Sequence, residues 1–173
     1  MLSVYCMNKR TVYIEPGDFA AGLKLTDSYK TILGSCVSAV FWEPNTQFFA
    51  MCHFLLPKAP AVQTGQLGRY GNQVLPEMLR LAKGASVELN DMQVYLFGGA
   101  SSEKTRGLAE RFKVASNNLR YALRFVEHYG LKLVHQDIGG HCGRRVLVDA
   151  NTGAFACQMV ESAEYGVAYG QKN

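Results

Sequence analysis

Short stretches in which apolar and polar residues alternate recur along this chain, and they predict a protein built largely from β-strands. The stretches are bounded by clusters of Gly, Pro, Asn and Asp, which favour turns. The predicted strands are Thr11–Ile14, Ser28–Leu33, Cys36–Trp42, Gln47–Phe54, the start of MQVYLFGGASS, Leu131–Ile138, Arg144–Asp149 and Ala154–Val160. The tight turn DANTG joins the last two of these strands.

Two longer segments repeat apolar residues every three or four positions and predict α-helices. The first is Tyr70–Lys83, with Pro76 expected in its first turn, and the second is Val114–Tyr129. Strands with two interposed helices indicate an α+β (layered α/β) fold, in which packed mixed or antiparallel β-sheets are flanked by the two helices. Residues 1–173 are predicted to form a single domain, with 161–173 as a frayed tail.

The stretch TILGSCVSAVFWEPNTQFFAMCHF predicts a β-hairpin whose turn is the segment 43–46. If Trp42 faces Gln47 across this turn, Cys36 and His53 become direct cross-strand neighbours, with Cβ atoms about 4.5–5.5 Å apart. A register shifted by two residues would leave the two side chains diagonal on one face. A shift of one residue would place them on opposite faces.

Side-chain alternation sorts the residues of this hairpin into two faces. The first face is predicted to belong to the core: Val37, Ala39, Phe41, Phe48, Ala50, Cys52 and Phe54. The second face holds the thiol and the imidazole: Cys36, Ser38, Val40, Trp42, Gln47, Phe49, Met51 and His53. Cys52 is therefore expected to be buried and inert, although it precedes His53 in the chain.

The amino-acid composition indicates a globular protein. Of 173 residues, 48% are apolar and 18% are charged, and the net charge of +4 is spread without a basic stripe for nucleic acid. No apolar run is long enough to insert into a membrane, and the N-terminus lacks the features of a signal peptide. The five cysteines are an odd number with no disulfide pattern, which favours the reducing cytoplasm.

A paired thiol and imidazole support nucleophilic acyl transfer, because the ring accepts the thiol proton or holds the thiolate as an ion pair. Gly34 and Ser35 permit a sharp turn before Cys36, where backbone N–H groups can face a developing oxyanion. The nearest hydroxyl that could orient the imidazole of His53 is that of Thr31. On spacing alone, ordinary packing of a Cys–His pair stays open as the alternative.

Five motifs in order resemble the CheD family, the chemoreceptor glutamine deamidases of bacterial and archaeal chemotaxis. They are TILGSCVSAVFWEP, AMCHFLLP, RYGNQVLPEML, VYLFGGASS and QDIGGHCGRRVLVDANTG. The resemblance extends from Tyr13 to Val160. It departs from the family pattern at Asn72, at Ser101 and in VASNNLRYA, where a glycine and an arginine are usual.

This resemblance implies a protein-glutamine glutaminase that converts glutamines of methyl-accepting chemotaxis proteins to glutamate through a cysteine thioester. It implies Cys36 as nucleophile, His53 as its partner and Thr31 as the assisting residue. It implies no metal or organic cofactor, a fold related to deamidating bacterial toxins, and a CheC-type phosphatase as a further partner. A binding module for that phosphatase or for a receptor is the alternative function.

Two glycine-rich loops are expected to approach the same site. The resemblance suggests substrate contacts from Gly98 and Gly99 in one loop and from Gly140 and His141 in the other. A less favoured hypothesis joins Cys36, His53, His141 and Cys142 as zinc ligands, or assigns a redox role to the cysteines, although no C-x-x-C or H-x-x-x-H spacing is present. Arg144 and Arg145 are expected to divide between an ion pair and a solvated face.

Overall fold

The computed structural model describes residues 9–61, 65–101 and 113–160. Within these residues the chain forms nine strands, two α-helices and one 3₁₀ turn. The strands are β1 (Thr11–Tyr13), β2 (Phe19–Leu23), β3 (Ser28–Leu33), β4 (Val37–Glu43), β5 (Phe48–Cys52), β6 (Gln93–Gly98), β7 (Lys132–Ile138), β8 (Gly143–Asp149) and β9 (Phe155–Val160). The helices are α1 (Gly71–Gly84) and α2 (Val114–His128), and the 3₁₀ turn is Leu67–Arg69. The predicted frayed tail, 161–173, lies outside the described residues.

The described strands form two sheets. The larger has the order β2-β5-β4-β6-β7 and the smaller has the order β1-β3-β8-β9. Strands β6 and β7 are parallel and are connected through α2, and β1 is parallel to β3, whereas the other pairs are antiparallel. The predicted α+β fold, with mixed sheets flanked by two helices, is confirmed.

The larger sheet is buried on both faces. One face packs against α1 and α2, and there the hairpin residues predicted as core join Val74, Met78, Ala122 and Phe125. The opposite face packs against the smaller sheet, where Val40, Phe49 and Met51 meet Tyr29 and Val146. The face that carries Cys36 and His53 is therefore buried between the two sheets. Side-chain alternation predicted which residues lie on this face, but it did not predict that the smaller sheet covers it.

Helix α1 forms because Val74, Met78 and Ala82 recur every four residues and bury one stripe of the helix against the larger sheet. The prediction that Pro76 lies in its first turn is wrong. The helix begins at Gly71, so Pro76 lies in the second turn and cannot donate to the carbonyl of Asn72.

Strand β2 is absent from the sequence-based prediction because its residues, FAAGL, have low β-propensity. It pairs antiparallel with β5 and forms the edge of the larger sheet. Tertiary pairing, and not local preference, makes this segment a strand.

The hairpin register is two residues away from the predicted one. Trp42 faces Phe49, not Gln47, and the turn consists of residues 44–47. The carboxylate of Glu43 accepts backbone hydrogen bonds from Asn45 and Thr46, both at 2.7 Å. Gln47 adopts a left-handed conformation with φ of 56°, so it belongs to the turn and β5 starts one residue later.

Candidate active site

Cys36 lies where the chain bends into β4, at one end of the larger sheet. Cys36 is buried, with 7% of its surface exposed to solvent, whereas the preceding Ser35 is exposed. The Cys36 carbonyl accepts a hydrogen bond from the N–H of Gly99 at 2.8 Å, and the Gly34 carbonyl accepts from that of Ala100 at 2.8 Å. The backbone around the thiol is therefore fixed by the loop that follows β6.

His53 is fully buried at the end of β5, between the sheets. Its backbone N–H donates to the Asp18 carbonyl at 3.0 Å, and its carbonyl accepts from Gly17 at 2.7 Å. These bonds extend the pairing between β5 and the start of β2 by one residue. They fix the backbone from which the imidazole projects.

The hydroxyl of Thr31, on β3 of the smaller sheet, contacts the imidazole. Thr31 Oγ1 lies 2.8 Å from His53 Nδ1 and 2.8 Å from the carbonyl oxygen of Ile14. A hydroxyl has one hydrogen, and the carbonyl can only accept, so Thr31 donates to Ile14 and accepts from the N–H at Nδ1. His53 is thus the Nδ1–H tautomer, and its Nε2 carries the lone pair.

Burial lowers the pKa of His53 to about 4, with a backbone hydrogen bond involving Ile14 acting in the opposite direction. The ring is therefore neutral near pH 7, with Nε2 able to accept a proton. Within the described residues, Nε2 has no hydrogen-bond partner. The resting protein therefore holds a neutral imidazole, which disfavours an imidazolium–thiolate ion pair.

Cys36 and His53 lie on one face of the hairpin as diagonal neighbours, not as the direct neighbours predicted. Val37 faces Phe54 in an isolated bridge that keeps the register of β4 and β5. His53 therefore faces Ser38, and Cys36 lies one pleat further along, a separation of roughly 7–8 Å for diagonal positions. The shift of two residues preserved the shared face.

Ser38 is a second buried polar residue on this face. It is fully buried, and its hydroxyl oxygen makes no hydrogen bond within the described part of the chain. The register places it opposite His53, next to Cys36 on the same face. The sequence analysis put Ser38 on the correct face but assigned it no role.

Of the two glycine-rich loops, the one after β6 contacts the backbone of Cys36, and the other contacts that first loop. Gly98 has φ of 104°, and a Cβ there would lie 2.3 Å from the Cys36 carbonyl oxygen. Gly98 in turn accepts from the N–H of Gly139 at 2.9 Å, and Gly140 accepts from that of Ser101 at 2.8 Å. His141 is exposed, and its Nδ1 lies 2.9 Å from the carbonyl oxygen of Ser101, to which it donates. Contact with a substrate stays a prediction.

Cys52 lies on the opposite face of the hairpin, in the core against the helices. Burial raises the pKa of Cys52 to about 12, which agrees with an inert core thiol. Cys142 is exposed, and no disulfide joins any of the described cysteines. No group of three or more potential metal ligands occurs within the described ranges, so the zinc hypothesis gains no support from the geometry.

Arg144 and Arg145 lie on opposite faces of β8. Arg144 is buried, and its Nε donates to Asp137 Oδ1 at 2.8 Å, which joins β8 of the smaller sheet to β7 of the larger one. Arg145 is exposed on the outer face of the smaller sheet.

Asn118, on α2, is a residue that the sequence analysis missed. It is fully buried, and its Nδ2 donates to the carbonyl oxygens of Ser35 at 3.1 Å and Leu55 at 2.8 Å. A signal was present, because Asn118 is the one polar member of the buried stripe that otherwise contains Ala115, Ala122, Phe125 and Val126.

Comparisons with known proteins point to one family. A family described as "CheD chemotactic sensory transduction" matches residues 55–159 of this chain. The chain is 36% identical to "Probable chemoreceptor glutamine deamidase CheD 1" of Chromobacterium violaceum, over 88% of this chain and 79% of that protein. It is 37% identical to "Probable chemoreceptor glutamine deamidase CheD" of Pseudomonas fluorescens, over 80% and 78% of the two chains.

A third relative, "Probable chemoreceptor glutamine deamidase CheD" of Pseudomonas syringae pv. tomato, is 36% identical over 69% of this chain and 72% of its own. Among the described residues, no helix is both long enough and apolar enough to span a bilayer.

Proposed function

This chain belongs to the CheD family, and from that premise we propose that it deamidates glutamine side chains of chemoreceptors, with Cys36 as nucleophile and His53 as general base. The names of the relatives, chemoreceptor glutamine deamidases, support the reaction and its substrate. The assignment of Cys36 and His53 is supported by the geometry of the hairpin and by the motifs that contain them.

The observation that carries the proposal is the hydrogen-bond chain from Ile14 through Thr31 to His53. It leaves the lone pair of a buried, neutral imidazole on Nε2, on the face that carries the Cys36 thiol. A histidine that served only for packing would not need its tautomer fixed in this way. Thr31 thus orients the imidazole of His53, the role played by the third member of a catalytic triad.

In the first half-reaction, His53 Nε2 accepts the thiol proton, and the Cys36 sulfur attacks the Cδ atom of the glutamine side chain. The imidazolium then donates this proton to the departing nitrogen, so the C–N bond breaks and ammonia leaves. The product is a γ-glutamyl thioester on Cys36. Backbone N–H groups of the Gly34–Cys36 bend are proposed to stabilise the oxyanion.

In the second half-reaction, His53 accepts a proton from water, and the resulting hydroxide attacks the thioester carbonyl. The C–S bond breaks, and the proton on His53 returns to the sulfur. A glutamate side chain and the free Cys36 thiol remain. Each proton that His53 removes is returned, and no atom changes oxidation state, so these steps need no redox partner.

The test is deamidation of a purified cytoplasmic chemoreceptor fragment from the same organism, followed by peptide mass spectrometry. We expect glutamine to become glutamate, with release of ammonia, when the wild-type protein is added. Cys36→Ala should abolish the conversion, whereas Cys142→Ala, which removes an exposed thiol, should retain it. Undiminished conversion by Cys36→Ala would overturn the proposal.

We further propose, from the family resemblance, that the enzyme acts in the cytoplasm and binds a CheC-type phosphatase. Size-exclusion chromatography of the two purified proteins from the same organism tests the second point. Co-elution as a complex is expected, and separate elution at micromolar concentrations would contradict it.

A further inference from the structure

Asn118 bridges the two segments that carry Cys36 and His53. Its Nδ2 group donates one hydrogen to the carbonyl of Ser35, directly before the nucleophile. It donates the other to the carbonyl of Leu55, two residues after the histidine. Both partners are carbonyl oxygens, which can only accept, so the amide nitrogen must face them and both of its hydrogens are used.

This bridge lies beyond the last backbone pairing of the hairpin. Val37 and Phe54 exchange hydrogen bonds of 3.2 and 3.0 Å and form the final pair. Cys36 lies one residue beyond that pair, where the β4–β5 pairing ends. The two bonds from Asn118 join the strands from the side of α2, and they replace the missing backbone connection.

The bond to Ser35 also orients the peptide that links it to Cys36. All described peptide bonds are trans, and in a trans peptide the C=O and N–H groups point in opposite directions. Because the carbonyl of Ser35 points to Asn118 on α2, the N–H of Cys36 points away from that helix. This amide is one of those that the proposed mechanism directs at the oxyanion.

The oxygen of the same side chain is unsatisfied, so Asn118 carries a cost that its two donated hydrogen bonds offset. Asn118 is fully buried, and its Oδ1 makes no hydrogen bond within the described residues. An unpaired buried acceptor is destabilising. An apolar residue, like the other buried residues of α2, would avoid that cost but would leave the carbonyls of Ser35 and Leu55 without these donors. The two hydrogen bonds are therefore what Asn118 supplies at this position.

We infer that Asn118 is a positioning residue that sets the Cys36 thiol and its backbone amide relative to His53. The inference rests on the proposed function, since it gives Asn118 no role other than the geometry of that pair. Asn118→Leu keeps the branch at Cγ, although it is larger, and removes both donors. Asn118→Asp keeps the shape but places a carboxylate oxygen against two carbonyls.

The test measures the alkylation rate of each cysteine by iodoacetamide in the full chain, with peptide mass spectrometry to separate the sites. Cys142 is exposed and serves as the internal standard, and Cys52 is fully buried and reports unfolding. We expect both Asn118 variants to slow alkylation of Cys36 by about tenfold or more, with Cys142 unchanged and Cys52 protected. Asn117→Leu and Asn117→Asp, one residue earlier on α2, should leave the Cys36 rate unchanged.

The direction of the change in the Cys36 alkylation rate distinguishes a positioning role of Asn118 from a purely structural one. If Asn118 only held the fold together, its loss would expose Cys36 and speed its alkylation. With receptor fragment as substrate, the Asn118 variants should lower kcat and leave KM within about twofold of the wild-type value. A Cys36 rate equal to or faster than that of the wild type, with Cys52 still protected, would overturn the inference.

The variant His53→Asn distinguishes an incorrect role for Asn118 from an incorrect proposed function. If His53→Asn does not slow the alkylation of Cys36, the Cys36–His53 pair itself is wrong. If His53→Asn slows it while both Asn118 variants match the wild type, the pair stands and only the role of Asn118 is wrong.

Discussion

At the scale of single residues, the site depends on a histidine kept neutral and held in one tautomer. Burial between two sheets keeps the ring uncharged, and the Thr31 hydroxyl, committed to the Ile14 carbonyl, selects the hydrogen on Nδ1. The sequence predicted Thr31 as the orienting residue from its nearness to Cys36 and from the family motif. It contained no information on Ile14, whose carbonyl determines the direction of the hydrogen bond.

Replacing Thr31 with valine tests this orientation. Thr31→Val keeps the shape but removes the acceptor for Nδ1–H, so the ring is no longer held in the active tautomer. We expect kcat for deamidation to fall by about tenfold or more. Thr11→Val, a matched change at an exposed strand position, should keep the wild-type rate. A kcat for Thr31→Val within twofold of the wild type would show that the hydroxyl does not orient His53.

The lowered pKa of His53 predicts an acid-sensitive fold. Its folded pKa of about 4 lies below the unfolded value of about 6.5, so the unfolded chain binds the proton more tightly. This difference in proton binding leaves the free energy of unfolding unchanged above about pH 6.5. It lowers the free energy of unfolding as the pH falls from about 6.5 towards 4, and below pH 4 the loss is constant.

Urea unfolding at pH 7.5 and pH 4.5 measures this effect. Between these two pH values, the free energy of unfolding should fall by about 2–3 kcal/mol more for the wild type than for His53→Asn, which lacks the titrating group. Equal losses in the two proteins would mean that His53 titrates in the folded state near its ordinary pKa.

At the scale of elements, the hairpin shows which features local sequence determines. Alternation sorted Val37–Trp42 of β4 and all of β5 onto the correct faces, because side-chain direction in a strand has a strict period of two. The register was wrong because it depends on the turn, where Glu43 binds two backbone N–H groups and Gln47 is left-handed. Strand β2 was missed because its alanines and glycine become a strand only through pairing with β5.

The close approach of two elements at Gly98 gives a prediction at this scale. Gly98→Ala would place a methyl group 2.3 Å from the Cys36 carbonyl oxygen in a positive-φ conformation. We expect it to lower the free energy of unfolding by about 2 kcal/mol or more. Gly84→Ala, at the end of α1 with no atom within 4 Å of the added carbon, should have no destabilising effect. Equal stabilities of the two variants, measured by urea unfolding, would contradict the close approach.

At the scale of the whole molecule, three layers bring together residues that are distant in the chain. The Cys36 segment and His53 flank strands of the larger sheet, Thr31 belongs to the smaller sheet, and Asn118 lies on a helix of the outer layer. The sequence predicted packed sheets flanked by two helices and the shared face of Cys36 and His53, because both followed from patterns within short segments. It did not predict that the smaller sheet covers that face. It did not predict the contribution of α2, since the two carbonyls that Asn118 binds are determined by packing between layers.

The central claim is that deamidation proceeds through a thioester on Cys36, and trapping with hydroxylamine tests it most directly. Hydroxylamine competes with water for a γ-glutamyl thioester and converts the target glutamine of the receptor fragment to a hydroxamate, which peptide mass spectrometry identifies. The account predicts that wild-type enzyme forms hydroxamate at the same glutamines that it deamidates, that Cys142→Ala does so equally, and that Cys36→Ala forms neither product. Deamidation without hydroxamate at any hydroxylamine concentration, or hydroxamate formation by Cys36→Ala, would contradict it.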